Sequence, residues 1–215
     1  MSAAGFDAAH AALMDRTYRR QRRFYDLTRA YYLLGRDRLI EELAPPPGAS
    51  VLEIACGTGR NLDLIGRRHP DARLFGLDIS DEMLASARGK LRHRAWLARA
   101  DACAFDPQAL FQEPGFDRVV LSYSLSMIPD WQGALAAALA ATAPGGQIHV
   151  VDFGSQARLP GWFRHGLRAW LARFHVTPRD DLRAELDRLA RETGATLRWR
   201  SLFRDYAQHA VLTRP

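Results

Sequence analysis

The stretch from Val51 to Asn61, VLEIACGTGRN, runs from an apolar segment through a glycine-rich turn into a helical pattern, and these residue types point to a nucleotide-like cofactor. Gly57 and Gly59 let the backbone approach a ligand closely and take angles that a side chain forbids. A dinucleotide loop would carry a third glycine where Leu62 stands, which argues against NAD and FAD. Glu53, inside the strand, would repel a pyrophosphate. It suits a cofactor whose tail carries an ammonium and a sulfonium, as S-adenosylmethionine does. Nineteen residues after Gly59, Leu77-Asp78-Ile79-Ser80 ends the next strand with a carboxylate placed to accept from both ribose hydroxyls. Asp101, followed by Ala102, ends the third strand, where it can accept from an adenine amino group while Ile79 and Met83 sandwich the ring. Ala55, Asn61 and Ser122 complete the candidate cofactor-binding set on this core.

Such groups need a parallel sheet to align them. Between Ser50 and Gly154 short apolar runs alternate with helical stretches, the pattern of strands joined by crossover helices. The expected strands are 50–55, 73–78, 95–100, 116–122 and 147–153, with 196–202 and 207–213 closing the sheet as an antiparallel pair. The fold class is therefore α/β: a Rossmann-like seven-stranded sheet, mostly parallel with an antiparallel C-terminal strand, preceded by amphipathic helices. The alanine-rich run 134–143 reads as a helix. Thr177-Pro178-Arg179-Asp180 offers an N-cap, a proline at the first helical position and an acid at the third, opening a helix that stops at Gly194. Pro45-Pro46-Pro47-Gly48 reads as a linker dividing an N-terminal unit, 1–48, from the core, 49–215.

The chain of 215 residues has a net charge of +6 and a pI near 9.9, and all but one of its 30 basic residues are arginines. That balance suits an anionic partner, nucleic acid or an anionic lipid surface. Residues 14–43 interleave eight arginines with Tyr18, Phe24, Tyr25, Tyr31 and Tyr32. Wound as a helix, Leu13, Met14, Tyr18, Phe24 and Tyr25 share one side, while Arg16, Arg19, Arg20, Arg22 and Arg23 fill the other. Residues 160–175 repeat the device: Phe163, Leu167, Trp170, Leu171 and Phe174 form one stripe, and Arg164, His165, Arg168 and Arg173 occupy the rest. Residues 156–176 are thus expected to be a basic amphipathic insertion, and both basic stretches to lie in a lipid interface.

Cys56 and Cys103 have no metal-ligand spacing, and no HxxxH pair occurs, so a reduced, intracellular protein without metal is expected. The lack of an 18-residue apolar run and of a secretory signal predicts a protein peripheral to a membrane rather than spanning it. Nucleic acid is disfavoured as a partner. Residues 121–130 lack the [DN]-P-P-[FY] clamp for a base amino group, neither cysteine follows a proline, and no RNA-binding module is appended. With no dedicated base in view there or at Val151-Asp152-Phe153, an acceptor that is already a good nucleophile, such as an aliphatic amine, fits best.

Glu53 to Gly59, Asp78, Asp101 and the turn Ala143-Pro144-Gly145-Gly146 resemble the motifs of the class I S-adenosylmethionine-dependent methyltransferases, over Ser50 to Pro215. The resemblance implies their sheet, S-adenosylmethionine as cofactor and S-adenosylhomocysteine as product, with Asp78 as the ribose acid and Asp101 at the adenine. Ala55 departs from it, standing where that family carries its first glycine. If a positive φ is needed there, alanine costs about 1 kcal/mol. Ala55 is also the one feature that would fit a non-catalytic cofactor-binding module.

Residues 14–40, with Tyr18, Tyr25-Asp26, Arg29, Tyr31-Tyr32 and Gly35-Arg36, are similar to the bacterial betaine-lipid N-methyltransferases. This similarity implies three successive methylations of diacylglyceryl-homoserine at the inner face of an anionic membrane, with an upstream enzyme that makes that lipid as a partner. Tyr25-Asp26 and Gly35-Arg36 match phosphatidylethanolamine N-methyltransferases as well. On this reading Tyr25 lies near the methionine end of the cofactor, Tyr31 and Tyr32 at the substrate amine, and Tyr123 or Asp152 on the sheet side. Tyr18, Arg29 and Arg36 bind the substrate, a guanidinium gripping the homoserine carboxylate.

Overall fold

The computed structural model describes residues 32–215, so Tyr18, Tyr25, Arg29, Tyr31 and most of the first basic stretch lie outside the described residues. In chain order the described elements are α1 (Arg36–Leu43), β1 (Ser50–Ile54), α2 (Arg60–Arg68), β2 (Arg73–Asp78), α3 (Asp81–Leu91), β3 (Ala95–Arg99), α4 (Pro107–Phe111), β4 (Phe116–Ser122), α5 (Trp131–Ala140), β5 (Thr142–Phe153), α6 (Gly161–Ala172), α7 (Leu182–Thr193), β6 (Thr196–Leu202) and β7 (Ala207–Thr213).

The seven strands form one sheet in the order β3-β2-β1-β4-β5-β7-β6. Pairing is parallel from β3 through β5, while β7 runs antiparallel between β5 and β6. The expected α/β class is therefore the observed one. β1 sits at the centre with all five residues buried, the polar Ser50 and Glu53 among them, and its register sets Glu53 beside Gly76 and Val120. One apolar cluster, with Leu52, Phe116, Leu121 and Leu186, fills one face; the other, with Leu39, Ile40, Val51, Leu62 and Val151, takes in α1. Order reversal between β1 and β4 opens a crevice at the carboxyl ends of the strands, where open α/β sheets place ligands.

Three elements differ by more than one residue from the sequence expectation, while β1 and β3 each end one residue early. The helix expected to open at Thr177 opens at Leu182. Arg179 is drawn aside by donating from Nε to the Leu125 carbonyl (3.0 Å) and from Nη2 to that of Ile128 (2.7 Å), while Thr177 donates its N–H to Ser126. Tertiary bonds override the local capping pattern there. Strand β5 starts at Thr142 rather than 147, because Thr142 pairs with Phe116 before the register shifts around the glycine turn. The alanine-rich helix starts at Trp131, capped by Asp130, whose Oδ1 accepts from the Gly133 N–H at 2.9 Å.

The stripe on α6 also divides. Leu171 is buried and Leu167 and Trp170 pack on the second cluster, whereas Trp162 and Phe163 at the helix start are exposed, so the stripe serves mainly as core rather than as a lipid face. No described helix is long and apolar enough to cross a membrane.

Candidate active site

β1 runs into the glycine turn, and hydrogen bonds to β2 fix that turn. Cys56 donates its N–H to the Leu77 carbonyl (2.9 Å) and Gly57 donates to Asp78 Oδ2 (2.8 Å), while Asp78 Oδ1 accepts from the Ser80 N–H (2.9 Å). Ala55, Gly57 and Gly59 all have positive φ, of 56°, 55° and 73°. Ala55 thus carries the left-handed strain that its position in the motif implied. The two glycines do different work. A side chain on Gly57 would meet nothing within 4 Å, leaving that backbone open to a ligand, but a Cβ on Gly59 would lie 2.8 Å from Leu91 Cδ1. A side chain on Gly59 would crowd α3, so this glycine also lets α2 pack on α3.

Glu53 is 2 % exposed. Its Oε1 accepts from Asn61 Nδ2 at 2.7 Å, and its Oε2 is buried without a hydrogen-bond partner. Burial pushes its carboxyl up to about 8, against the hydrogen bond from Asn61 and the charge of Arg36, with the charge of Asp78 adding to the rise. A buried acceptor lacking a donor calls for a cation or N–H from a ligand. The ammonium of S-adenosylmethionine supplies that donor, so the residues present fit this cofactor.

Around the same crevice Asp101 Oδ1 accepts from the Cys103 N–H at 2.9 Å, Met83 and Ala102 are buried, Ile79 is half-buried, and the Ser122 hydroxyl is buried with no partner. Cys56 is a buried free thiol pushed far up by burial, which makes it a packing residue of the turn.

On the acceptor side, Tyr123 at the end of β4 takes a left-handed φ of 55°. Its ring stands edge-on to Phe153 at 4.7 Å and its hydroxyl donates to the Leu34 carbonyl. Burial, with the charges of Asp152 and Tyr206 behind it, holds that phenol well above its usual range. Asp152 is fully buried; Oδ1 accepts from the Phe153 N–H (2.8 Å) and Oδ2 from the Ser126 N–H (3.1 Å), and burial raises its carboxyl to about 6 against Ser126, Phe153 and Arg179. Of the two sheet-side catalytic candidates, Tyr123 therefore has its proton committed to a backbone carbonyl, and Asp152 is shut off from solvent at 0 % exposure with each oxygen accepting a backbone N–H. Tyr32 is half-buried, its ring edge-on to Trp170 at 4.8 Å, and its carbonyl accepts from the Tyr206 hydroxyl at 2.8 Å.

Arg36, named as a substrate-binding cation, is 7 % exposed and donates from Nε to the Leu33 carbonyl at 3.3 Å, and its charge acts on Glu53 on one side of the crevice and on Tyr123 on the other. Tyr206, Ser126 and Arg179 escaped the sequence reading. Tyr206 carries no local motif, its partner lying 174 residues away; its place in the turn between two short strands was the only available signal.

Fold and crevice together define a class I methyltransferase architecture. Residues 52–148 match the family model described as "Methyltransferase domain". In sequence the chain is 33 % identical over 112 residues to trans-aconitate 2-methyltransferase of Variovorax paradoxus, covering 52 % of this chain and 41 % of that protein. It is 30 % identical over 120 residues to demethylmenaquinone methyltransferase of Listeria welshimeri, covering 54 % of this chain and 49 % of that one. The chain spans about half the length of these curated relatives or less. The plantazolicin methyltransferase BpumL, solved with a desmethyl-plantazolicin analogue and S-adenosylhomocysteine, superposes with a TM-score of 0.73 at 16 % identity over 98 % of this chain and 97 % of that one.

Proposed function

We propose that this chain is an S-adenosylmethionine-dependent N-methyltransferase that converts diacylglyceryl-homoserine to its N,N,N-trimethyl betaine form in three steps at an anionic membrane surface. The observation that carries the reading is the commitment of the acceptor-side polar groups. Asp152 is buried with both oxygens bonded to backbone, and the Tyr123 proton is given to Leu34. Neither is set up as a general base, which favours an acceptor whose nitrogen is nucleophilic once it has lost a proton to solvent. The relatives named for trans-aconitate and demethylmenaquinone act on other acceptors; the similarity of residues 14–40 to betaine-lipid N-methyltransferases is what directs this reading to a lipid amine.

S-adenosylmethionine supplies an activated methyl group on a sulfonium. The deprotonated amine would take up that methyl group, and the methylated ammonium would release a proton to solvent before each further round. Glu53 and Asn61 hold the cofactor ammonium, Asp78 and Asp101 its ribose and adenine, and Arg36, beside Glu53, its carboxylate. The homoserine carboxylate then falls to Arg29, with Tyr18, Tyr31 and Tyr32 around the amine. Ring faces favour the growing methylammonium by about 1 kcal/mol each. Positioning and exclusion of water provide the remaining acceleration.

The test incubates the protein with S-adenosylmethionine and anionic vesicles containing diacylglyceryl-homoserine, phosphatidylethanolamine or a demethylated quinol, and weighs the products. One, two and three added methyls on the homoserine lipid alone are expected. Methylation of phosphatidylethanolamine or of the quinol instead would overturn the acceptor assignment, and methylation of none would overturn the activity.

A further inference from the structure

Residues 153–179 contain five arginines, two histidines and no acidic residue. Helix α6 rises from the middle of this stretch, after β5 and thus at the carboxyl end of the sheet where the crevice lies. Its far end is anchored: Leu171 is buried and Trp170 packs edge-on against Tyr32. Its near end is bare. Trp162 is 78 % exposed and Phe163 39 %, their rings edge-to-face at 5.8 Å, so two large apolar side chains protrude together after Pro160 and Gly161. An adjacent exposed pair of this size marks a contact surface rather than ordinary scatter.

The charges around the tip are uncommitted. Arg158 and Arg164 have no ion-pair or side-chain hydrogen-bond partner among the described residues. Beside the helix runs a groove of about 450 Å³, lined by Ser155, Arg164, His165, Arg168 and Asp180. Arg168 spends its guanidinium on Asp180, at 2.7 and 2.9 Å, and on Gln156 at 3.0 Å. That leaves Arg164, half-buried in the groove wall, as the cation available to an incoming anion.

We propose that α6 docks the protein end-on to an anionic bilayer: Trp162 and Phe163 enter the interface, Arg164 takes a lipid phosphodiester in the groove, and Arg158 meets a neighbouring headgroup. The arrangement differs from the flat amphipathic helix expected from sequence, because the stripe that would have faced lipid is spent on the core. An apolar wedge ringed by uncommitted guanidiniums matches the acyl boundary and phosphate layer of a bilayer. The inference deepens the lipid-acceptor reading and rests on it for its purpose, since docking at this end turns the mouth of the crevice toward the membrane.

The experiment measures binding of the full chain to vesicles of phosphatidylcholine alone or mixed with phosphatidylglycerol, lipids without a methylatable amine. Docking is then read independently of the reaction. Tight, salt-sensitive binding to the mixed vesicles is expected. Replacing Trp162 and Phe163 together with Ala should weaken it by about tenfold or more, and Arg164→Gln by about fivefold. Trp96→Ala should leave it unchanged: Trp96 is 58 % exposed but stands at the opposite end of the sheet, at the start of β3. Cofactor affinity, measured in parallel, should be the same in all variants. Unchanged vesicle binding in the Trp162/Phe163 variant, an equal loss in Trp96→Ala, or stronger binding to single-stranded RNA than to vesicles overturns the proposal. If the tip-dependent docking holds while no lipid amine is methylated, docking stands and the acceptor assignment falls. If dispersed diacylglyceryl-homoserine is methylated while docking ignores the tip, the reverse holds.

Discussion

On the β1–β3 side of the crevice, Glu53 holds Asn61 from eight residues away and Asp78 fastens Gly57 from 21, whereas on the β4–β7 side Tyr123 reaches 89 residues back to Leu34 and Tyr206 reaches 174 back to Tyr32. The cofactor half is built from local turns whose carboxylates accept backbone N–H groups. The acceptor half is built from long-range bonds in which buried phenols donate to backbone carbonyls just ahead of α1. Local fastening makes a site whose shape is set within the turn itself, and long-range fastening makes one whose shape depends on how the chain ahead of α1 is seated.

The largest effect should come from removing the charge at the centre of the cofactor half. Glu53→Gln keeps the neighbour Asn61 in place and abolishes the carboxylate, and cofactor affinity by calorimetry is expected to fall by about 100-fold, the upper range for a buried hydrogen bond to a charge. Because burial holds this carboxyl near 8 instead of 4.5, the folded apo protein keeps a proton there that the unfolded chain has lost. Its contribution to stability is therefore highest below pH 4.5 and declines as pH rises toward 8. Cofactor binding in the wild type should release that proton near neutral pH and tighten from pH 6 to about 8. In Glu53→Gln the binding trend should vanish and the stability trend should be lost above about pH 6, leaving below it the part due to Asp152, whose carboxyl is raised to about 6; persistence of the binding trend, or of the stability trend above pH 6, would assign it to another group.

The acceptor side has an opposite pH signature. Under α1, His149 and His209 are buried on adjacent strands, held down to about 3 and about 4 mainly by burial, with Arg118 and Arg200 among the charges opposing protonation and Glu42 favouring it. Glu42, Arg200 and His209 lie in contact there. Unfolded histidines take up protons near 6.5, so these two stabilise the fold fully above that value and progressively less as pH falls through 6.5 toward 4. His149→Leu should flatten this acid limb in urea titrations and leave cofactor affinity at neutral pH unaltered. An unaltered acid limb would place the acid sensitivity elsewhere, for instance in Glu42, whose carboxyl is lowered by Arg38 and Arg200 against burial.

The contrast between the halves also explains what could be read in the sequence. Strands β2, β4, β6 and β7 and the residues Glu53, Gly57, Asp78 and Asp101 follow from patterns within about ten residues, the range over which apolar periodicity and turn chemistry act. The late start of α7 does not, because Arg179 is bound to Leu125 and Ile128, some 50 residues upstream. Nor does the commitment of Tyr123 and Asp152: an aromatic or an acid at a strand end looks the same whether it faces a ligand or a distant carbonyl. The packing role of Gly59 is hidden for a similar reason, since Leu91 on another helix is what crowds a side chain there.

The long-range fastening can be loosened one bond at a time. Tyr206→Phe and Tyr123→Phe each leave a half-buried carbonyl without its donor while keeping the ring, and each should cost about 1 kcal/mol in stability. Both should lower turnover more than cofactor affinity, because the carbonyls they hold, of Tyr32 and Leu34, precede α1 on the acceptor side. Equal losses in turnover and cofactor affinity would mean that the two halves move as one.

The smallest effect tests the cofactor half at its single departure from the motif. Ala55 sits at φ 56°, where an L side chain is strained by about 1 to 2 kcal/mol and glycine is not. Glycine returns part of that gain through the extra freedom of the unfolded chain, about 0.5 to 1 kcal/mol. Ala55→Gly should therefore raise stability by under about 1 kcal/mol, and since the backbone of the turn already has the angles a glycine would adopt, cofactor affinity should stay within about twofold. A clear gain in affinity would show instead that the methyl group of Ala55 obstructs the ligand, which would make the residue a brake on the site rather than a strained but neutral substitute.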